Sequence, residues 1–136
     1  MTHVLLVGDD VALLEGLAQS LAAQGHDPVV ASSLAEARDL ALSDPPLVLV
    51  VNRSIASNAG ADLLAIPLAA GGARLLYRGA TVPLAPLLPA LQRSVLADLT
   101  LPLERHRLAA LVQSLGERAR ATGRTMRHTP PDNRAV

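Results

Sequence analysis

Asp9 and Asp10 stand side by side after the apolar run Val4-Leu5-Leu6-Val7 and Gly8. Adjacent carboxylates at a strand end suit two tasks. They can offer oxygens to a hard cation, or they can cap the helix that follows by accepting from its unpaired N–H groups. Two further apolar runs end in polar residues: Leu47 to Val51 leads into Asn52-Arg53, and Leu75-Leu76-Tyr77 leads into Arg78-Gly79. The Asn52 amide is neutral, so it lacks the charge of a carboxylate nucleophile or of a magnesium ligand. It is expected to hydrogen-bond locally at its strand end. Arg53 and Arg78 could pair with Asp9 and Asp10 or hold an anion together, but the plainer expectation is solvated surface side chains. His3, His26, His106 and His128 show no two at metal-ligand spacing on one face, which reads as four surface histidines. No Ser-His-Asp order stands out, and Gly71-Gly72 lacks the strand–turn–helix setting of a phosphate loop.

The elements that must position these residues follow from periodicity. Val4–Val7 is short, continuous and apolar, the pattern of a buried strand. Leu13, Leu14, Leu17, Ala18 and Leu21 recur at three- and four-residue steps, the stripe of a helix that Asp10 caps and Gly25 closes. Residues 28–31 form a second strand. Ser32 or Ser33 caps a second helix, Glu36 lying at capping-box spacing from Ser33, and Asp44-Pro45-Pro46 stops it. Leu47–Val51 shows no alternation, so both faces are covered and the strand is central in a parallel sheet. Residues 53–60 read as a loop, 61–70 as a helix interrupted by Pro67, 75–77 as a fourth strand and 95–99 as a fifth. Leu103, Leu108, Leu111, Val112 and Leu115 mark a last helix running to about Ala121. Pro83, Pro86 and Pro89, at three-residue steps, argue against a regular helix through all three. Strand and helix alternate throughout, which predicts a doubly wound α/β sheet, with functional groups gathered at the carboxyl ends of its strands.

The chain has 136 residues, half of them hydrophobic and 18% charged, which suits one folded domain. It has no Cys, so disulfides, thiol chemistry and Cys-ligated metals are excluded. All twelve basic residues are Arg, so no Lys chemistry is available. Tyr77 is the sole Phe, Tyr or Trp, so no stacking platform for single-stranded nucleic acid exists. No apolar run suggests a membrane span and no secretory signal is visible, which points to the cytoplasm. Residues 1–100 carry nine Asp/Glu against five Arg, and residues 101–136 carry three against seven. From Thr122 onward Gly, Pro, Arg and polar residues dominate, which divides the chain into a domain, 1–121, and an Arg- and Pro-containing tail or linker, 122–136.

The strand ends together resemble the receiver domain of bacterial response regulators over about residues 3–120. Val4 to Leu17 resembles its opening strand, acidic turn and first helix. Pro46 to Asn52 resembles the strand that ends at the phosphoacceptor, and Ala97 to Pro102 the end of the fifth strand. The resemblance implies a five-stranded parallel sheet of flavodoxin-like receiver fold, order 2-1-3-4-5. It also implies a site at which two acids and an Asp hold magnesium, the Asp takes a phosphoryl group, and a Ser or Thr and a Lys contact it. Position by position, the first acid is Gly8 here and the second is the retained Asp9. The phosphoacceptor is Asn52, the Ser/Thr is Gly79 (or Thr81 in a shifted register), and the Lys is Leu101, next to Pro102. The aromatic switch position is Asp98.

These replacements imply a degenerate receiver that neither accepts phosphate at Asn52 nor turns over substrate, needs no cofactor, and has Asp9 and Asp10 as its only weak metal candidates. The expected role is a protein-interaction module in signal transduction or transcription control. It would dock a partner, or a second copy, through the last helix or the segment before strand five. A C-terminal output domain fits the Arg-rich tail, and nucleic acid would be met only through that tail. The alternative is a small-molecule sensor using the emptied acidic pocket. A conventional phosphate-accepting regulator comes third.

Overall fold

The computed structural model describes residues 2–56, 63, 67, 71–79, 93 and 95–128, with side chains through 121. Five parallel strands form one sheet: β1 (His3–Val7), β2 (Asp27–Ala31), β3 (Val48–Asn52), β4 (Ala73–Gly79) and β5 (Ala97–Leu101), in the order β2-β1-β3-β4-β5. Four helices are described: α1 (Val11–Ala23), α2 (Leu34–Ser43), the single turn α3 (Arg53–Ala56) and α4 (Arg105–His128).

The order follows from burial. The run in β3 from Val48 to Val51 is wholly buried, and β3 lies between β1 and β4. Strands covered on both faces need no polar alternation. Val4, Leu6, Val48, Val50 and Leu75 point to one face, where Leu14, Leu17 and Leu21 of α1 and Leu108, Val112 and Leu115 of α4 cover them. Leu5, Val7, Leu49, Val51 and Leu76 point to the other, against Ala37 and Ala41 of α2 and Ala56 of α3.

Local signals fix the helix ends. The Asp10 side chain accepts from the Leu13 N–H at 3.2 Å and caps α1. Gly25 adopts φ +88°, and the N–H groups of Gly25 and His26 donate to Ala22 and Leu21. That is a Schellman closure, in which the left-handed residue favours glycine. Ser33 Oγ accepts from the Glu36 N–H at 3.1 Å, while Glu36 reaches back to the Ser32 N–H at 2.7 Å.

Four elements differ from the sequence reading by two residues or more, and the first is β4, which runs Ala73–Gly79 where 75–77 was expected. The polar stretch after β3 opens with the α3 turn, because Asn52 supplies its cap. The fifth strand lies two residues later than its composition suggests: pairing with β4 selects Ala97, Leu99 and Leu101 for burial and leaves Leu96 exposed. The last helix continues past Ala121 to His128. Most of the helix read over 61–70, Thr81 and the three prolines at 83, 86 and 89 lie outside the described residues. Leu63 and Pro67 are helical.

Candidate functional site: a filled pocket at the strand ends

The carboxyl ends of β1, β3, β4 and β5 bring together Gly8, Asn52, Tyr77, Gly79 and Leu101. Parallel register sets Asn52 beside Tyr77, and Gly79 beside Leu101. Tyr77 projects to the α1/α4 face and is 1% exposed. Its hydroxyl lies over Gly8. A Cβ added to Gly8 would stand 2.0 Å from the Tyr77 Oη and 3.2 Å from its Cζ, with the Asn52 Cβ 3.4 Å away. The bare backbone of Gly8 is what admits the phenol. Leu101 fills the neighbouring space and is fully buried in the same cluster. The Leu101-Pro102 peptide bond is cis.

The polar groups that remain are engaged elsewhere or face solvent. Asn52 Oδ1 accepts from the Ser54 N–H at 2.9 Å and the Ser54 hydroxyl at 2.8 Å, which caps α3. Asp10 caps α1. Asp9 is exposed. The Tyr77 hydroxyl faces the Asn52 side chain without hydrogen-bond geometry and has no hydrogen-bond partner among the described residues. Burial pushes its phenol up to about 12; the Asn52 side chain opposes that rise, and the carboxylates of Asp9 and Asp10 add to it. The phenol is therefore neutral at physiological pH. Asp9 and Asp10 are the carboxylates left to a cation here, and one Asp10 oxygen already serves the helix cap.

Two arginines depart from the surface reading. The Arg53 side chain is 11% exposed and forms an ion pair with Asp98, reaching from the end of β3 across β4 to β5. Asp98 is thereby tied to the residue after Asn52. Arg78, half-buried at the end of β4, lies within electrostatic reach of Glu104. The Glu104 carboxylate accepts from the Thr100 N–H at 2.7 Å and from Arg107 at 3.1 Å, and these bonds hold its pKa below the ordinary range.

Two histidines also differ from expectation, while His106 is exposed as expected. His26 is 8% exposed, at the opposite end of the sheet beneath α4, and neither ring nitrogen has a partner among the described residues. His3 is half-buried between Asp27 and Asp44. The residue that sequence reasoning missed is Tyr77. Its only signal was being the sole aromatic ring of the chain at a strand end in register with Asn52.

No protein-family model and no curated protein matches this chain. Solved structures do. It is similar to a response regulator receiver domain protein from Clostridium thermocellum, with 17% identity, a TM-score of 0.69, and coverage of 90% of this chain and 99% of that one. A response regulator receiver protein from Pseudomonas putida aligns with 24% identity and a TM-score of 0.63, over 83% of this chain and 96% of that one. NtrX from Brucella abortus aligns with 16% identity and a TM-score of 0.70, over 92% of this chain but 28% of that longer one. With the sheet order, these similarities establish the fold of this chain as that of the response regulator receiver domain.

Proposed function

We propose that this chain is a phosphorylation-independent pseudo-receiver that works as a protein-interaction module in bacterial signalling. The observation that carries the reading is the Tyr77 hydroxyl lying over Gly8. An acidic centre that had merely lost its charge would leave room for phosphoryl and magnesium chemistry. Here the position of the first acid is taken by the Tyr77 ring from β4, two strands away in the same sheet, and Leu101 closes the position of the Lys. A small-molecule sensor would need that same space. The Arg53–Asp98 pair supports a fixed output face. In place of an aromatic side chain free to turn, the switch position carries a charge held by Arg53.

In this reading the domain turns over no substrate, acts in the cytoplasm and presents the exposed side of α4 to a partner. The Arg-rich residues from 122 onward lead towards an output domain or linker. Affinity capture with the whole chain tests it. The same partner is expected with and without an acyl-phosphate donor and magnesium, and with Asn52→Ala. Recovery that changes with the donor would overturn the reading. Loss of the partner on removing 122–136 would place the contact in the tail.

A further inference from the structure

We propose that His3, Asp27 and Asp44 form a binding site for a divalent cation of the zinc class, at the end of the sheet away from the filled pocket. His3 opens β1, Asp27 opens β2, and Asp44 is the C-cap of α2. One ligand atom from each residue lies within 4.8 Å of the other two.

The case rests on what surrounds the ring. Nδ1 lies 3.1 Å from the Asp27 carbonyl oxygen and 3.4 Å from Asp27 Oδ2. Nε2 lies 3.0 Å from the Asp44 carbonyl oxygen and 3.4 Å from Asp44 Oδ2. All four oxygens are acceptors, whereas a neutral imidazole has one N–H and one bare lone pair. Whichever tautomer forms, one nitrogen lone pair faces oxygen lone pairs, and a cation between them removes the conflict. Ring nitrogen and carboxylate oxygen bind zinc at about 2.0–2.2 Å, so a tetrahedron places them roughly 3.4 Å apart. A single ion takes only one ring nitrogen, because the two lone pairs diverge; on Nδ1 the separation to Asp27 Oδ2 matches that value, and the Nε2–H then donates to the Asp44 carbonyl. Drawing the third ligand in from 4.8 Å needs a shift of about 1.4 Å at most, within the rotamer reach of an Asp44 side chain that is 75% exposed.

The frame is preorganised. The Leu47 N–H donates to the His3 carbonyl at 3.0 Å, the Asp27 N–H to Thr2 at 2.8 Å, and the Asp44 N–H to Leu40 at 3.0 Å. Two carboxylates balance the charge of a divalent ion. One nitrogen among oxygens favours the zinc class over magnesium, which prefers all-oxygen shells.

Zinc chloride titrated into the full chain by calorimetry tests this, with cobalt(II) absorption reporting the ligand shell. One saturable site per chain is expected. Asp44→Asn, at an exposed carboxylate, is expected to weaken it at least ~10-fold while the far-ultraviolet dichroism stays unchanged. His3→Gln should abolish the cobalt signal, and His106→Gln should leave both readouts as they were. The absence of saturable binding, or binding that Asp44→Asn leaves intact, would overturn the site.

Discussion

Adding one carbon at Gly8 probes the filled pocket most locally. In Gly8→Ala the new Cβ would lie 2.0 Å from the Tyr77 Oη, more than an ångström inside ordinary contact. The ring is fully enclosed, so it can yield only by shifting the core, and overpacking of that kind costs about 1–3 kcal/mol. Tyr77→Phe removes the oxygen. The buried hydroxyl has no partner among the described residues, and such a group costs about 1–3 kcal/mol, so the single substitution is expected to be neutral or to stabilise by about 1 kcal/mol. In the Phe background the nearest atoms to the added Cβ are the former Cζ at 3.2 Å and the Asn52 Cβ at 3.4 Å. A few tenths of an ångström then suffice, and Gly8→Ala should cost less than about 1 kcal/mol. The entropy that Ala removes from the unfolded chain is common to both backgrounds and cancels. The double-mutant cycle, measured by urea midpoints at constant m-value, should give a coupling of about 1 kcal/mol or more. Additivity within about 0.5 kcal/mol would refute the packing of Tyr77 against Gly8.

Three further outcomes follow from named contacts. Asp98→Asn should destabilise by about 1 kcal/mol or more in urea unfolding at low salt, because the Arg53 side chain it leaves is largely buried, whereas fully exposed pairs rarely reach that value. Ser33→Ala should lower stability by about 1 kcal/mol through loss of the α2 cap, with Glu36 released from the Ser32 N–H. For His26, burial first, then the positive charges of the amino terminus and Arg120, hold the imidazole below its ordinary 6.5. The folded state then binds that proton less readily than the unfolded chain. The contribution of His26 is therefore intact above about pH 6.5 and is lost as pH falls below it, and His26→Leu should flatten the slope of unfolding free energy between about pH 7 and 5.

The frame was legible because its determinants are local. Four successive apolar residues in β1, an unbroken apolar β3, the caps at Asp10 and Ser33, and Gly25 are each read within a few positions of chain. That Asn52, Gly79 and Leu101 stand at strand ends was legible too, since each follows an apolar run. The filling of the pocket was not. That Tyr77 lands over Gly8 depends on β4 pairing with β3 in one register, and a single-residue slip would turn the ring to the opposite face. Arg53 and Asp98 are 45 positions apart and meet across an intervening strand. His3, Asp27 and Asp44 share no helix or strand, so spacing along the chain carries no trace of their meeting. The boundaries of β5 shifted for a similar reason: pairing with β4, rather than composition, selects which residues are buried.

Intact-protein mass spectrometry after incubation with an acyl-phosphate donor and magnesium tests the central claim most directly. The account predicts an unchanged mass for the wild-type chain, and also for Asn52→Asp, because restoring the carboxylate leaves Tyr77 and Leu101 in place. A phosphoryl-sized gain on the wild-type chain, at Asp9, Asp10 or any other residue of this pocket, would contradict it.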